Sequence, residues 1–113
     1  MLVLNRFHVP PETHDGFVER AHAALAALAQ SRGYLSGRLA RALEDPAAWT
    51  LITEWESVGA YRRALGGFDV KVHATPLLAE TIDEPSAFET LAAAEPGEQV
   101  VITASDRAAE PWR

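Results

Sequence analysis

The chain contains no cysteine. Disulfide bonds, thiolate metal sites and a cysteine nucleophile are therefore excluded. No apolar run approaches the ~20 residues that a transmembrane helix needs. The opening MLVLNRF also lacks the basic and apolar regions of a secretion signal. From these absences we expect a cytoplasmic protein that has no membrane partner.

Basic side chains are scarce as well. Ten Lys and Arg residues stand against 16 Asp and Glu residues, which gives a formal net charge of −6. Because the basic residues do not cluster beyond short pairs such as Arg62-Arg63, the charge pattern of a nucleic-acid-binding protein is absent. The 113 residues make one domain. A domain of this size buries only about two thirds of its unfolded surface, which favours association with a second copy.

Hydrophobic periodicity predicts the element order β-α-β-β-α-β, followed by one more strand. The turn at Asp45-Pro46 joins the second and third strands, Ser57 is placed to cap the second helix, and Gly66-Gly67 ends that helix. The predicted strands are 1–9, 34–43, 49–57, 85–91 and 99–104, and the predicted helices are 13–33, 58–65 and a short piece at 68–74.

This order is that of the ferredoxin-like fold, an α+β architecture in which an antiparallel sheet carries its helices on one face. We assign residues 1–91 to this domain and residues 92–113 to a C-terminal extension with a candidate strand at 99–104. In the first strand, Leu2 and Leu4 alternate with the Val3, Asn5 and Phe7 side, so both faces are partly apolar. A second copy of the sheet would cover the outer face, which predicts a homodimer.

Four segments resemble the antibiotic biosynthesis monooxygenase superfamily of dimeric α+β barrels. They are NRFHVP, GYLSGRL, TEWESVGAYRRAL and the short helix that carries His73, and the resemblance covers residues 1–91. It implies one of two activities. Some members oxidise aromatic polyketide-like or quinol substrates with dioxygen and need neither metal nor flavin. Others degrade haem, which they hold in a cleft between the sheet and the helices.

The haem-degrading members use an asparagine, a tryptophan and a histidine that ligates the iron. Asn5 and His73 match the asparagine and the histidine, but Ala64 stands at the tryptophan position. An alanine cannot distort a porphyrin as the bulky indole is thought to do. The departure favours a wider cavity for another flat substrate, and haem binding through His73 is the alternative.

Asn5 and His73 are the predicted catalytic residues. A buried amide is costly unless its hydrogen bonds are met, so Asn5 either bonds to backbone at a strand irregularity or donates to a bound oxygen or a substrate carbonyl. The imidazole of His73 suits a general base or an axial haem ligand. The simpler interpretation is that His73 faces water beside Val70 and Val72.

Phe7, Tyr61, Ala64 and Phe68 are the predicted substrate-binding residues. Tyr61 and Phe68 flank the glycine pair that could let a pocket wall move. The sequence thus favours a monooxygenase-like homodimer that oxidises a flat aromatic small molecule with dioxygen and without a cofactor. A haem-binding protein is the first alternative, and a non-catalytic dimeric binding module is the second.

Overall fold

The computed structural model describes residues 1–105 of the chain. A short 3₁₀ turn, Pro11–Thr13, precedes the first helix. No helix in this part of the chain is both long and apolar enough to cross a membrane. The strands are β1 (Leu2–His8), β2 (Tyr34–Arg41), β3 (Ala48–Trp55), β4 (Ala87–Phe88), β5 (Ala92–Ala93) and β6 (Val101–Ile102), and the helices are α1 (His14–Ala29), α2 (Val58–Leu65), α3 (Phe68–His73) and α4 (Thr75–Leu78).

Four strands form one antiparallel sheet in the order β2-β3-β1-β4. The predicted α+β fold with a ferredoxin-like sheet is therefore confirmed. Strands β1 and β3 lie at the centre and pair along their whole length without a register shift. The buried side chains of both strands face the helices, so the core lies between the sheet and helices α1 to α4.

The alternation predicted for β1 is confirmed. Val3 and Phe7 are buried, and Asn5 between them is only 7% exposed, whereas Leu2 and Leu4 on the other face are half-buried. The same period places Trp49, Leu51, Thr53 and Trp55 of β3 in the core.

The alternation of β2 is interrupted at its start. In a regular strand Leu35 would share a face with Gly37 and Leu39, yet Leu35 is 54% exposed. A β-bulge between Tyr34 and Ser36 inserts one extra residue into the strand, and such an insertion moves the residues before it to the opposite face. Tyr34 therefore lies opposite Trp55.

The C-terminal strands are shorter than predicted. The strand expected at 85–91 contains only Ala87–Phe88, and the one expected at 99–104 contains only Val101–Ile102. The latter pairs with Ala92–Ala93, a strand that we did not predict, across a turn in which Gly97 has a positive φ of 76°. Residues 106–113 of the predicted extension lie outside the described residues.

Of the residues that precede the two longer helices, only the predicted cap Ser57 acts as a cap. The Ser57 hydroxyl accepts a hydrogen bond from the backbone N–H of Ala60 at 3.1 Å and so caps α2. Thr13 precedes α1, yet its hydroxyl donates to the Pro10 carbonyl at 2.9 Å instead of accepting from the helix. The cap at Ser57 fixes the start of the helix that carries Tyr61.

Candidate functional site

Asn5 and Tyr61 meet in the space between the sheet and α2. Asn5 belongs to a central strand and points towards the helices, and Tyr61 lies in the first turns of α2. Their side chains form a hydrogen bond. Because this bond lowers the pKa of the Tyr61 hydroxyl, it favours the phenolate, which identifies the Asn5 amide N–H as the donor. The backbone irregularity that we considered as the alternative role of Asn5 is not found in β1.

Aromatic rings form the wall beside this pair. The Trp55 indole is fully buried and lies between Tyr34 and Tyr61, with ring centroids 5.4 Å away in both cases. Its Nε1–H donates to the Thr53 hydroxyl at 2.8 Å, so the indole is fixed in orientation. The Asn5–Tyr61 pair therefore lies against a rigid and mainly apolar surface.

Burial keeps the Tyr61 hydroxyl protonated. Desolvation raises the pKa of Tyr61 above its ordinary value of 10.0, and the hydrogen bond from Asn5 offsets only part of that rise. At neutral pH the phenol is therefore a hydrogen-bond donor. The site thus combines an amide donor and a phenol donor beside the buried Trp55 indole, an arrangement that stabilises a developing negative charge on oxygen.

A spectroscopic titration tests this pair. The chain has two tyrosines, Tyr34 and Tyr61, and we expect a phenolate absorbance component that appears only above pH 10 and is lost in Tyr61→Phe. The pKa of Tyr61 is higher in the folded protein than in the unfolded chain. The contribution of the Tyr61 hydroxyl to the free energy of unfolding is therefore present below pH 10 and is lost as the pH rises through the raised pKa. Asn5→Ala should raise the pKa of this component further, because it removes the hydrogen bond that lowers the pKa of Tyr61. An unchanged pKa of this component in Asn5→Ala would contradict the hydrogen bond.

Two cavities are lined by other predicted substrate-binding residues, and Asn5 and Tyr61 line neither of them. The Phe7 cavity, of about 560 Å³, lies at the end of β1 beside the start of α1, and the exposed Arg20–Glu80 ion pair is on its rim. Phe7 is two residues from Asn5 on the same face of the strand. The Ala64 cavity, of about 390 Å³, lies where the ends of α1 and α2 meet the start of α3, and Ala64 and Phe68 line it.

Ala64 connects the second cavity to the pair. It is buried and stands three residues after Tyr61, so the two side chains lie on one side of α2 about one turn apart. Phe68 is 79% exposed at the rim. The structure thus brings Asn5 together with Tyr61, and it places the other predicted substrate-binding residues in the cavities on either side.

His73 lies apart from these groups. It is the last residue of α3, its side chain is exposed, and it lines neither cavity. Among residues 1–105, no group of three or more His, Asp or Glu side chains is placed to hold a metal ion. A haem site would need the His73 imidazole inside a cleft, and the residue at the tryptophan position is the small Ala64. The described residues therefore do not fit haem.

Several residues of the site were not predicted from the sequence. Trp55 and Tyr34 are two of them, although the Thr53/Trp55 spacing on one strand face is a signal for an indole held by a hydroxyl. Arg63 was seen only as part of a basic pair, and Arg32 was not singled out. No local sequence pattern predicts that these two arginines line the same cavity.

One family model and several solved structures match the chain. The family model described as "Antibiotic biosynthesis monooxygenase" matches residues 1–74. A crystal structure of SnoaB, a cofactor-independent oxygenase from Streptomyces nogalater, is 28% identical over 80% of this chain and 94% of its own, with a TM-score of 0.55. A point mutant of SnoaB gives 20% identity, a TM-score of 0.62, and coverage of 95% and 93%.

A conserved protein from Methanosarcina mazei Go1 has the same fold. It is 22% identical to this chain, with a TM-score of 0.63, over 76% of this chain and 84% of its own. No curated protein matches the chain.

Proposed function

Since the chain belongs to the antibiotic biosynthesis monooxygenase family, we propose that it oxidises a flat aromatic small molecule with dioxygen and without a metal or flavin. The observation that carries the proposal is the Asn5–Tyr61 hydrogen bond beside the buried Trp55 indole. The similarity to a cofactor-independent oxygenase supports it.

The reaction needs no external reductant. A phenol-type substrate loses a proton, and the resulting anion gives an electron to dioxygen. Oxygen then bonds to a ring carbon that carries two hydrogens in the keto form, and the O–O bond breaks as that carbon becomes a carbonyl. One oxygen atom stays in the product, the other leaves as water with both hydrogens, and the substrate supplies all four electrons.

Asn5 and Tyr61 act on the charge that develops in this sequence. The substrate oxyanion would accept hydrogen bonds from the Asn5 amide and from the protonated Tyr61 hydroxyl, two donors that burial partly removes from water. Trp55 holds the plane of the Tyr61 ring. The protein thereby lowers the cost of forming the anion that reacts with dioxygen.

We propose His73 as the base that removes the substrate proton. It would act from the exposed end of α3, outside both cavities. His73→Ala should then lower kcat about 10²-fold, with partial recovery when imidazole is added. The matched control is His22→Ala, an exposed histidine on α1, which should retain full activity. Equal activity of His73→Ala and the parent would remove His73 from the mechanism.

An oxygen electrode tests the proposed function. Chelator-treated, flavin-free protein is mixed with naphthols, anthrones and hydroquinones, and we expect at least one class to consume one O₂ per carbonyl formed. Asn5→Ala serves as the matched inactive variant. No enzyme-dependent uptake with any class would reject the oxygenase proposal in favour of the non-catalytic binding module.

We also propose that the outer sheet face joins two copies of the chain. Leu4 and Ile52 lie directly opposite each other on this face, and Phe88 of the edge strand is 44% exposed. A second sheet would cover the apolar side chains on this partly apolar face.

Light scattering tests this interface. The parent should be a dimer, and Leu4→Arg should weaken the dimer by roughly 100-fold or more, because an unpaired charge would be buried. Leu43→Arg is the control, since Leu43 is 99% exposed in the turn between β2 and β3. A monomeric parent, or a Leu4→Arg variant that dimerises normally, would contradict the interface.

A further inference from the structure

We propose that the Ala64 cavity binds the carboxylate of an anionic aromatic substrate, through Arg32 and Arg63. The inference rests on the proposed function, because it names the substrate class for that reaction. Both arginines line the cavity, one just after α1 and the other in the last turn of α2.

The charge of this cavity is opposite to that of the chain. The chain carries a net charge of −6, yet two arginines and one acidic residue, Asp69, are among the residues that line the cavity. Within residues 1–105, the ion pairs are Arg6–Glu84 and Arg20–Glu80, so Arg32 and Arg63 are both available to a ligand. Guanidinium groups bind carboxylates through paired N–H donors, and they therefore favour an anionic ligand here.

The apolar part of the cavity fits a flat ring. Ala64 and Val70 are buried and form its floor, while the Phe68 ring is 79% exposed at its rim. A volume of about 390 Å³ lies within the range of small-molecule sites. Phe68 is placed to stack on an aromatic ligand whose carboxylate lies between the arginines.

The position of Ala64 directs such a ligand towards the reacting groups. Ala64 lies about one helical turn from Tyr61, which bonds to Asn5. A larger residue at position 64 would fill the space through which the ligand extends. A substrate anchored at its carboxylate would thus present its phenolic end to the Asn5–Tyr61 pair.

Anaerobic binding measurements separate this inference from the reaction. Calorimetry compares 6-hydroxy-2-naphthoate, whose carboxylate and hydroxyl lie at opposite ends of the rings, with its neutral methyl ester. The parent should prefer the carboxylate about ten-fold or more, and Arg32→Gln/Arg63→Gln should abolish the preference by raising the Kd of the carboxylate alone. Phe68→Ala should weaken both ligands. Thermal unfolding checks that each variant folds, because a purely structural role at the helix ends would change Tm and leave the preference intact.

Arg62→Gln is the matched control. Arg62 is the neighbour of Arg63 on α2 but lines a different cavity, beside β4, so its loss should leave both Kd values unchanged. Equal binding of acid and ester by the parent, or an equal effect of Arg62→Gln, would overturn the inference. If the ester consumes oxygen as well as the acid, the inference fails and the proposed function stands. Arginine-dependent binding of the acid without any oxygen uptake would uphold the carboxylate site and reject the oxygenase.

Discussion

Asn5→Ala is expected to lower kcat by about 10²–10³-fold, the usual effect of removing one donor to a developing oxyanion. The amide is 7% exposed on a central strand and donates to the Tyr61 hydroxyl. Loss of the Asn5 amide removes one hydrogen-bond donor, and it also removes the contact that positions the Tyr61 hydroxyl. Because the substrate gains most from these donors as charge develops, KM should change much less than kcat.

Val3→Ala is the matched control for this result. Val3 is fully buried on the same face of β1, two residues before Asn5. Truncating it leaves a small void and lowers the free energy of unfolding, but it removes no polar group. Activity within a few-fold of the parent would assign the Asn5 effect to its amide. A kcat loss in Val3→Ala as large as in Asn5→Ala would reduce Asn5 to a packing residue.

Gly33→Ala is expected to destabilise the fold by about 2–4 kcal/mol, from left-handed backbone strain and overpacking together. Gly33 has a φ of +88°, and an added Cβ would lie 2.5 Å from the Cβ of Ala60. The residue sits where the chain leaves α1 and passes under α2, and its carbonyl accepts from the backbone N–H of Glu56 at 2.8 Å. A fall in Tm of roughly 10–20 °C should follow.

Gly16→Ala provides the comparison. It lies within α1, and an added Cβ would have no atom within 4 Å. The substitution should therefore raise stability by about 0.5–1 kcal/mol, because alanine favours a helix over glycine. If both variants change stability by the same amount and in the same direction, the close contact between Gly33 and α2 is not a feature of the folded protein.

The central strands could be predicted from local pattern. The alternation of Val3, Asn5 and Phe7 depends only on the period of an extended chain, and the Ser57 cap depends only on residues next to it. The bulge at Tyr34–Ser36 could not be predicted, because it depends on what the opposite strand presents, namely Trp55. The short C-terminal strands illustrate the same limit, since β-propensity does not show which neighbour a strand will find.

Only part of the candidate site could be predicted from the sequence, for a related reason. A polar residue on an apolar strand face is a signal that sequence carries, and it identified Asn5. The partner of Asn5 depends on how α2 docks against the sheet, which is fixed by a contact between Gly33 and Ala60 that are far apart in sequence. The shared cavity of Arg32 and Arg63 depends on that docking as well.

The most direct test of the proposed activity is the fate of the oxygen atoms. The purified protein, free of metal, flavin and haem, is incubated with an oxidisable naphthol or anthrone under ¹⁸O₂, and the product is analysed by mass spectrometry. One labelled oxygen per product molecule is expected, formed at a rate that falls in Asn5→Ala. Product without the label, or label that appears only after haem or a metal is added, would contradict oxygenation by this chain alone.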